Sequence, residues 1–453
     1  MQHLKKHENP LLIIGMGAAG MDSLSIGASR ALFSADIIYT SSRLARMLPP
    51  PLREKCATWP VPFSAMTDEI SRYRSEGRRV AVLASSNPFY YGVGVVLARH
   101  FKPEEIEAWP APSAFALAAA RLGWAEQDIF KISLHGRQTR ALEPLLVERT
   151  RIFLLTEPST LRRVAERLMR RNLLGSRIII LADLGGPDEQ IYELTVEEAL
   201  TFDDTVLSLP HVIALDCQYA NPETDFHPLA SSRAAGLSEE VFEHDGQITK
   251  GPVRAITVGA LMPRARTLLW DIGAGCGSVA IEWLRMAGHT AHAIAIERDA
   301  RRCGMIERNA DTLGASRLRV VHGEAPQALA NLPRPDVVFI GGAVADEAVF
   351  QAAWDALPRG GWLVANAVSL AAEQALLARH ARLGGELTRI QLSHAAPIGG
   401  QGEKSMSPET PPPAEQEATP GMAEARTPLP PETGGYEAFR HALPVTQWRV
   451  RKT

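Results

Sequence analysis

The sequence predicts an α/β protein made of two consecutive modules. At 453 residues the chain is longer than one hydrophobic core usually supports. Patterns typical of buried strands alternate with helical patterns along both halves. A turn-rich passage separates the halves. We therefore predict a first module over residues 10–218, a linker over 219–236 and a second module over 237–453.

The first module carries five predicted strands, with helical stretches between most of them. The strands are LLIIGMG (11–17), DIIYTS (36–41), RRVAVLAS (78–85), RIFLLTE (151–157) and SRIIILAD (176–183). Lys5 and Lys6 precede the first of them, but the glycine-rich run and the pattern that continues after it indicate a strand and its turn, not a signal peptide.

The second module carries seven predicted strands and five interleaved helices, which indicate one sheet whose last two strands form a hairpin. The strands are TLLWDIG (267–273), AHAIAIE (291–297), RLRVVHG (317–323), DVVFIGG (336–342), WLVANAV (362–368), LTRIQLSH (387–394) and VTQWRVRK (445–452). Residues 403–435 lie between the last two and contain eight prolines and six glutamates, a composition that predicts a disordered insertion.

The composition of the chain excludes several classes of function. Charged residues make up 22% of the chain and the net charge is −3, so no global basic field favours nucleic acid. No segment approaches the ~20 apolar residues that span a bilayer. Four widely spaced cysteines without a C-x-x-C pair predict no metal site and favour the cytoplasm.

The segment LLWDIGAGCGSVAIEW (268–283) joins a buried strand to a helix through a glycine loop. Its G-x-G-x-G spacing over Gly273, Gly275 and Gly277 is the form that Rossmann-like class I methyltransferases use for S-adenosylmethionine. The next strand ends at Glu297, where the ribose hydroxyls are expected. Glu297 would serve a nicotinamide oxidoreductase equally well, but such enzymes use G-x-G-x-x-G.

Several segments of the second module resemble the precorrin-6Y C5,15-methyltransferase (decarboxylating) family of cobalamin biosynthesis: EHDGQITKGPVRAITVGAL (243–261), the glycine-loop segment, AIERDA (295–300), HGEAPQAL (322–329), VFIGGAV (338–344) and VANAV (364–368). The resemblance implies that the cofactor is bound by Thr249, Gly273, Ala274, Gly275, Cys276, Gly277, Glu297 and Ala325. From the residues alone, Thr249 could instead cap the following helix.

The first module resembles the tetrapyrrole (corrin/porphyrin) methylase fold, which has two α/β lobes and a cleft between them. The resemblance rests on LLIIGMGAAGMDSLS (11–25), VAVLASSNPFYYGVG (80–94), PAPSAFALAAARLGW (110–124) and IIILADLGGPDEQIYELT (178–195). It implies cofactor contacts at Gly15, Gly17, Ser86, Asn87, Pro88 and Ser113. Two departures stand out, because the family has Gly-Asp-Pro where this chain has Ser86-Asn87-Pro88, and Leu-Asn where it has Pro210-His211.

Together the resemblances imply S-adenosylmethionine-dependent methylation of precorrin-6Y (precorrin-6B) at carbons 5 and 15, with decarboxylation of the carbon-12 acetate to give precorrin-8X. They imply a corrinoid small-molecule substrate. Composition predicts no nucleic acid or membrane partner, and we expect a homo-oligomer. The alternative is that only the second module is catalytic and the first is a binding or assembly domain. Decarboxylation needs a proton donor, for which His322, Glu324 and Asn366 are candidates by strand-end position only.

Overall fold

The computed structural model describes residues 8–62, 64–136, 138–221, 232–288, 290–397 and 437–453. The predicted insertion at 403–435 and the middle of the predicted linker lie outside the described residues. The chain divides into two compact units. One consists of Met1–Glu243, Leu284–Met286 and Met305–Leu318, and the other of His244–Trp283, Ala287–Gly304 and Arg319–Thr453.

The first lobe of the N-terminal half is a parallel five-stranded sheet in the order β3-β2-β4-β1-β5. Every residue of its inner strand β1 is buried, because apolar clusters cover both faces of the sheet. The strands are β1 (Leu11–Met16), β2 (Ile37–Tyr39), β3 (Cys56–Ala57), β4 (Val80–Ser85) and β5 (Ile106–Trp109). The helices are α1 (Ile26–Phe33), α2 (Ser42–Arg46), α3 (Pro50–Arg53), α4 (Ala65–Ser75) and α5 (Val93–Leu97).

The second lobe is a mixed five-stranded sheet in the order β6-β7-β10-β8-β9, in which only β6 and β7 are parallel. Its strands are β6 (Ile129–Ser133), β7 (Arg151–Leu155), β8 (Arg177–Ala182), β9 (Gln190–Leu194) and β10 (His211–Asp216). Its helices are α6 (Ala114–Leu122), α7 (Thr160–Arg170) and α8 (Val196–Thr201). The two α/β lobes confirm the predicted architecture, although five strands (β3, β5, β6, β9 and β10) were missed.

The C-terminal half contains a seven-stranded sheet in the order β13-β12-β11-β14-β15-β19-β16, with β19 antiparallel to both of its neighbours. Its strands are β11 (Leu268–Ile272), β12 (His292–Glu297), β13 (Leu318–His322), β14 (Val337–Ile340), β15 (Trp362–Ala367), β16 (Glu386–Ile390) and β19 (Val445–Arg451). Its helices are α9 (Gly251–Ala260), α10 (Ser278–Ala287), α11 (Ala300–Leu313), α12 (Glu347–Ala356) and α13 (Leu370–Leu383).

This strand order confirms the predicted sheet. The chain reverses direction across the sheet at β11, so the carboxyl ends of β11, β12 and β14 meet at one edge, the usual place for a ligand in such sheets. A short hairpin of β17 (Ser393–Pro397) and β18 (Glu437–His441) was not predicted. The sequence pattern indicated one continuous strand over 387–394, which overlaps the start of β17. Among the described residues, the helices are too short or too polar to cross a membrane.

Candidate active sites

The glycine loop between β11 and α10 is packed tightly against its neighbours. Gly273, Gly275 and Gly277 all have left-handed φ angles, of +73°, +60° and +81°. A Cβ atom on Gly273 would lie 2.8 Å from the backbone nitrogen of Gly342, in the loop after β14, so only glycine fits there. A Cβ atom on Gly275 would lie 3.5 Å from the carbonyl oxygen of Gln247. The segment before α9 therefore lies beside the loop.

Glu297 ends β12 next to this loop and is buried. The backbone N–H of Gly275 donates to its Oε2 at 2.8 Å, and that of Asp299 donates to its Oε1 at 3.0 Å. Each carboxylate oxygen keeps a further lone pair. The side chain is thus held in one orientation with acceptor capacity to spare, an arrangement suited to two neighbouring hydroxyls.

Asp271, the last acidic residue before the glycine loop, is an unusual buried carboxylate. Its Oδ2 accepts from the backbone N–H of Ala280 at 3.1 Å, while its Oδ1 has no hydrogen-bond partner among the described residues. Burial raises the pKa of Asp271 to about 7, and the nearby negative charge of Glu297 adds to the rise.

We expect Asp271→Asn to change how stability depends on pH. The folded-state pKa of Asp271 lies near 7, well above the roughly 3.9 of an unfolded chain, so between these values the folded protein binds more protons. The contribution of Asp271 to the free energy of unfolding therefore falls as the pH rises from about 4 to about 7, by up to about 4 kcal/mol at about 1.4 kcal/mol per unit. Urea denaturation across this range should show the free energy of unfolding of the variant rising relative to that of the wild type. The difference should be constant above about pH 7. A difference that is independent of pH would contradict the assignment.

Thr249 lies in the segment beside the loop, but it does not cap the helix. The N-cap of α9 is Lys250, which makes no side-chain capping hydrogen bond. The carbonyl oxygen of Thr249 instead accepts from Nη1 of Arg254, and the Thr249 side chain is half-buried. Capping as its only role is therefore excluded.

The strand-end candidates for the proton donor have different surroundings. The His322 ring atom Nε2 lies 3.0 Å from the carbonyl oxygen of Arg298, which can only accept, so Nε2 carries the proton of this bond. Glu324 is exposed and pairs with Arg298 at 3.5 Å. Asn366 is bonded within a buried polar network, donating to Oγ1 of Thr257 at 2.8 Å and accepting from Nε2 of Gln447 at 3.0 Å. Ala325 is partly buried and packs against the hydrophobic core of this module.

The first module has a cleft of about 1000 Å³, lined by residues of both lobes. Three of the predicted cofactor residues, Ser86, Asn87 and Ser113, line it. Gly15 lies behind them, since a Cβ atom there would lie 1.8 Å from the carbonyl oxygen of Ser86 and 3.0 Å from Cδ of Pro88. The structure thus brings these five residues to one place.

The Ser86-Asn87-Pro88 turn has strained geometry. Ser86 adopts a φ of +52°, a conformation that costs a residue with a Cβ atom about 1–2 kcal/mol. Its backbone N–H donates to the carbonyl oxygen of Met16 at 2.9 Å, and Oδ1 of Asn87 accepts from the N–H of Phe89 at 2.9 Å. Asn87 therefore keeps the turn-forming acceptor that an aspartate would supply.

Two other predicted residues of this module make local hydrogen bonds. Ser113 is the N-cap of α6, and its Oγ accepts from the backbone N–H of Ala116 at 3.1 Å. The backbone N–H of Gly17 donates to Oγ of Ser23 at 2.7 Å. The Ser113 hydroxyl hydrogen remains available to a ligand in the cleft.

The cleft also holds a pair that sequence reasoning did not find. Nε2 of His211 lies 3.0 Å from Oγ1 of Thr156, and Nδ1 lies 2.9 Å from the carbonyl oxygen of Leu209. Burial lowers the pKa of His211, which favours the neutral ring. Since Nδ1 donates to the carbonyl oxygen, Nε2 accepts from the threonine hydroxyl. In the part of the chain that the structure describes, no group of three or more His, Cys, Asp or Glu side chains could hold a metal ion.

Comparison with known proteins finds a matching family for each half of the chain. The tetrapyrrole (corrin/porphyrin) methylase family model matches residues 10–200, and the precorrin methyltransferase domain model matches 240–411. The chain is 43% identical over 394 residues to a precorrin-6Y C(5,15)-methyltransferase [decarboxylating] of Sinorhizobium sp, covering 86% of this chain and 92% of the relative. It is 34% identical over 445 residues to the protein of that name in Mycobacterium tuberculosis (strain ATCC 25618 / H37Rv), covering 98% and 100%.

Among solved structures, the C-terminal domain of precorrin-6Y C5,15-methyltransferase from Rhodobacter capsulatus is 38% identical, covers 49% of this chain and 100% of that chain, and has a TM-score of 0.39. The matched families define a methyltransferase built from two modules. The chain belongs to the precorrin-6Y C5,15-methyltransferase (decarboxylating) family.

Proposed function

We propose that the chain methylates precorrin-6Y at carbons 5 and 15, with S-adenosylmethionine as the donor, and decarboxylates the carbon-12 acetate to give precorrin-8X. In this proposal the module over residues 10–218 methylates carbon 5, and the module over 237–453 methylates carbon 15 and carries out the decarboxylation. Family membership supports the reaction. The observation that carries the cofactor assignment is the Glu297 carboxylate, held beside the glycine loop by the Gly275 N–H at 2.8 Å.

The proposed donor site of the second module matches the chemistry of S-adenosylmethionine. When bound, this cofactor supplies the methyl group. The loop from Gly273 to Gly277 precedes α10, so backbone N–H groups at the helix N-terminus suit the carboxylate of the methionine arm. Glu297 accepts from the ribose hydroxyls, while Thr249 and Ala325 line the remaining sides. The protein contributes mainly by positioning the cofactor and the acceptor carbon.

Decarboxylation of the carbon-12 acetate needs a proton donor. Asn366 is ruled out because a carboxamide is not an acid near neutral pH, and its amide is bonded in the network with Thr257 and Gln447. We therefore propose His322 or Glu324, both of which are exposed at the end of β13. Replacing each by alanine should separate the two steps, since loss of the donor would leave carbon-15 methylation intact and slow the release of CO2.

The proposed donor site of the first module is its cleft. Ser86, Asn87, Pro88 and Ser113, together with Gly15 and Gly17, form the turn and helix start on which the cofactor would lie. A second candidate function keeps only the C-terminal activity and makes this module a binding or assembly domain. The positive φ of Ser86, where the family has glycine, favours that candidate.

We expect the paired change Ser86→Gly with Asn87→Asp to raise carbon-5 methylation by roughly five- to tenfold. The change restores the Gly-Asp-Pro turn of the family on the cleft: glycine frees the backbone at the position of Ser86, and aspartate keeps the acceptor while restoring the charge. Mass spectrometry of the product would measure the ratio of doubly to singly methylated corrinoid, with carbon-15 methylation as the internal control. A wild type that already methylates carbon 5 as fast as carbon 15 would contradict this expectation.

The reaction itself is tested with the purified full chain, precorrin-6Y and S-adenosylmethionine. Mass spectrometry should show a gain of two methyl groups and a loss of one CO2 per corrinoid. We also propose that the enzyme works in the cytoplasm, as its widely spaced cysteines indicate, and as a homo-oligomer. Light scattering of the purified chain tests the oligomeric state.

A further inference from the structure

A fully buried ion pair lies between the two helices that border the proposed donor site of the second module. Nε of Arg254, on α9, donates to Oε1 of Glu282, on α10, at 2.8 Å. The side chains are 0% and 1% exposed. Removing two charges from water is costly, and apolar residues of similar volume often replace such pairs without loss of stability. Stability alone is therefore a weak explanation for this pair.

The guanidinium of Arg254 also bonds to the segment before α9, which lies beside the glycine loop. Its Nη1 donates to the carbonyl oxygen of Thr249, and the backbone N–H of Arg254 donates to the carbonyl oxygen of Lys250 at 2.8 Å. One planar side chain thus bonds both α10 and the segment from Gln247 to Lys250. The fork geometry of arginine suits two partners at fixed angles.

The two elements that Arg254 joins both lead to the glycine loop, one through the helix that follows it and the other through Gln247, two residues before Thr249. Glu282 lies on the helix that follows directly from Gly277, and the carbonyl oxygen of Gln247 lies 3.5 Å from where a Cβ atom of Gly275 would be. The positive charge of Arg254 also acts on the Cys276 thiol of the loop, where it opposes the rise in pKa that burial causes. The ion pair therefore connects the two walls of the site.

We propose that Arg254, held by Glu282, is a positioning residue that sets the segment from Gln247 to Lys250 against the glycine loop and so builds the S-adenosylmethionine site of the second module. The inference rests on the proposed cofactor site. It goes beyond that site by naming an ion pair, Arg254 with Glu282, that is not among the predicted cofactor residues and that bonds to the backbone of Thr249.

The test is the double variant R254M/E282L in the full chain, assayed for carbon-15 methylation by product mass. Met and Leu fill the space without charges, so the melting temperature should stay within a few degrees of the wild type. The KM for S-adenosylmethionine should rise at least tenfold while kcat changes less than threefold, because a misplaced wall weakens binding more than chemistry. An unchanged KM would overturn the proposal.

Trp283→Phe is the matched control. Trp283 is next to Glu282, is fully buried, and its Nε1 lies 3.5 Å from the carbonyl oxygen of Leu261, just after α9. The change should lower the melting temperature by loosening the same two helices and leave the KM within about twofold. A KM that rises as much in Trp283→Phe as in the double variant would show general loosening and would also overturn the proposal.

A third variant applies if the double variant does not fold. R254K keeps a positive charge for Glu282. Its single nitrogen replaces Nε and Nη1 of arginine, which bond to Glu282 and to the carbonyl oxygen of Thr249, so one of these bonds is lost. The KM for S-adenosylmethionine should therefore rise roughly threefold or more. An unchanged KM in R254K would reject the positioning role. If the wild type itself makes no carbon-15 product from S-adenosylmethionine, the proposed function fails, an outcome distinct from failure of this inference.

Discussion

Gly15→Ala is expected to abolish carbon-5 methylation, reducing it at least about a hundredfold, while carbon-15 methylation from the same chain continues. The new Cβ atom would lie 1.8 Å from the carbonyl oxygen of Ser86 and 2.8 Å from the backbone nitrogen of Ala111. Neither is a flexible side chain, and Gly15 pairs with Ala84 in the central strands of the sheet, so the turn at Ser86 must move. A hundredfold loss corresponds to about 2.7 kcal/mol in the activation barrier.

Mass spectrometry of the product measures this result, and the carbon-15 methyl group is the internal control for folding of the rest of the chain. A separate thermal unfolding scan detects a variant whose first module is unfolded. Undiminished carbon-5 methylation by a folded Gly15→Ala chain would show that the cleft beside Ser86 is not the site of that reaction.

Glu297→Ala is expected to raise the KM for S-adenosylmethionine in carbon-15 methylation at least tenfold. Hydrogen bonds to a charged group contribute about 1.5–3 kcal/mol each, and loss of even one corresponds to about a tenfold change in affinity. The carboxylate also anchors the backbone N–H groups of Gly275 and Asp299, so its removal loosens the glycine loop as well. Glu297→Gln, which keeps one acceptor oxygen, should give an intermediate KM.

Glu386→Ala is the control for this series. Glu386 lies on β16, and its side chain is 72% exposed beside Arg449, so its loss should leave the KM unchanged. Equal KM values for Glu297→Ala and the wild type would remove Glu297 from the site.

The proposed donor site of the second module could be inferred from the sequence because its residues are local in the chain. Gly273, Gly275 and Gly277 mark a strand-to-helix turn by their spacing, and Glu297 ends the next apolar run. Strand order then brings the two together, as parallel α/β sheets regularly do. Strands with long buried runs, such as β1 and β11, were found, but β10 was missed although five of its six residues are buried.

The missed features depend on the three-dimensional arrangement. Arg254 and Glu282 are 28 residues apart, and Thr156 and His211 are 55 apart, so no local pattern predicts either contact. Short strands such as β3, with two residues, carry too few positions for a period to be recognised. The raised pKa of Asp271 follows from complete burial, which a single acidic residue at a strand end does not reveal.

The most direct test of two donor sites in one chain is to count them by isothermal titration calorimetry of the full chain with S-adenosylmethionine. The wild type should bind two molecules per chain, and Gly15→Ala and Glu297→Ala should each retain one site at unchanged affinity. A wild type that binds only one molecule, lost in Glu297→Ala and kept in Gly15→Ala, would contradict a donor site in the first module and leave the second module as the only methyltransferase.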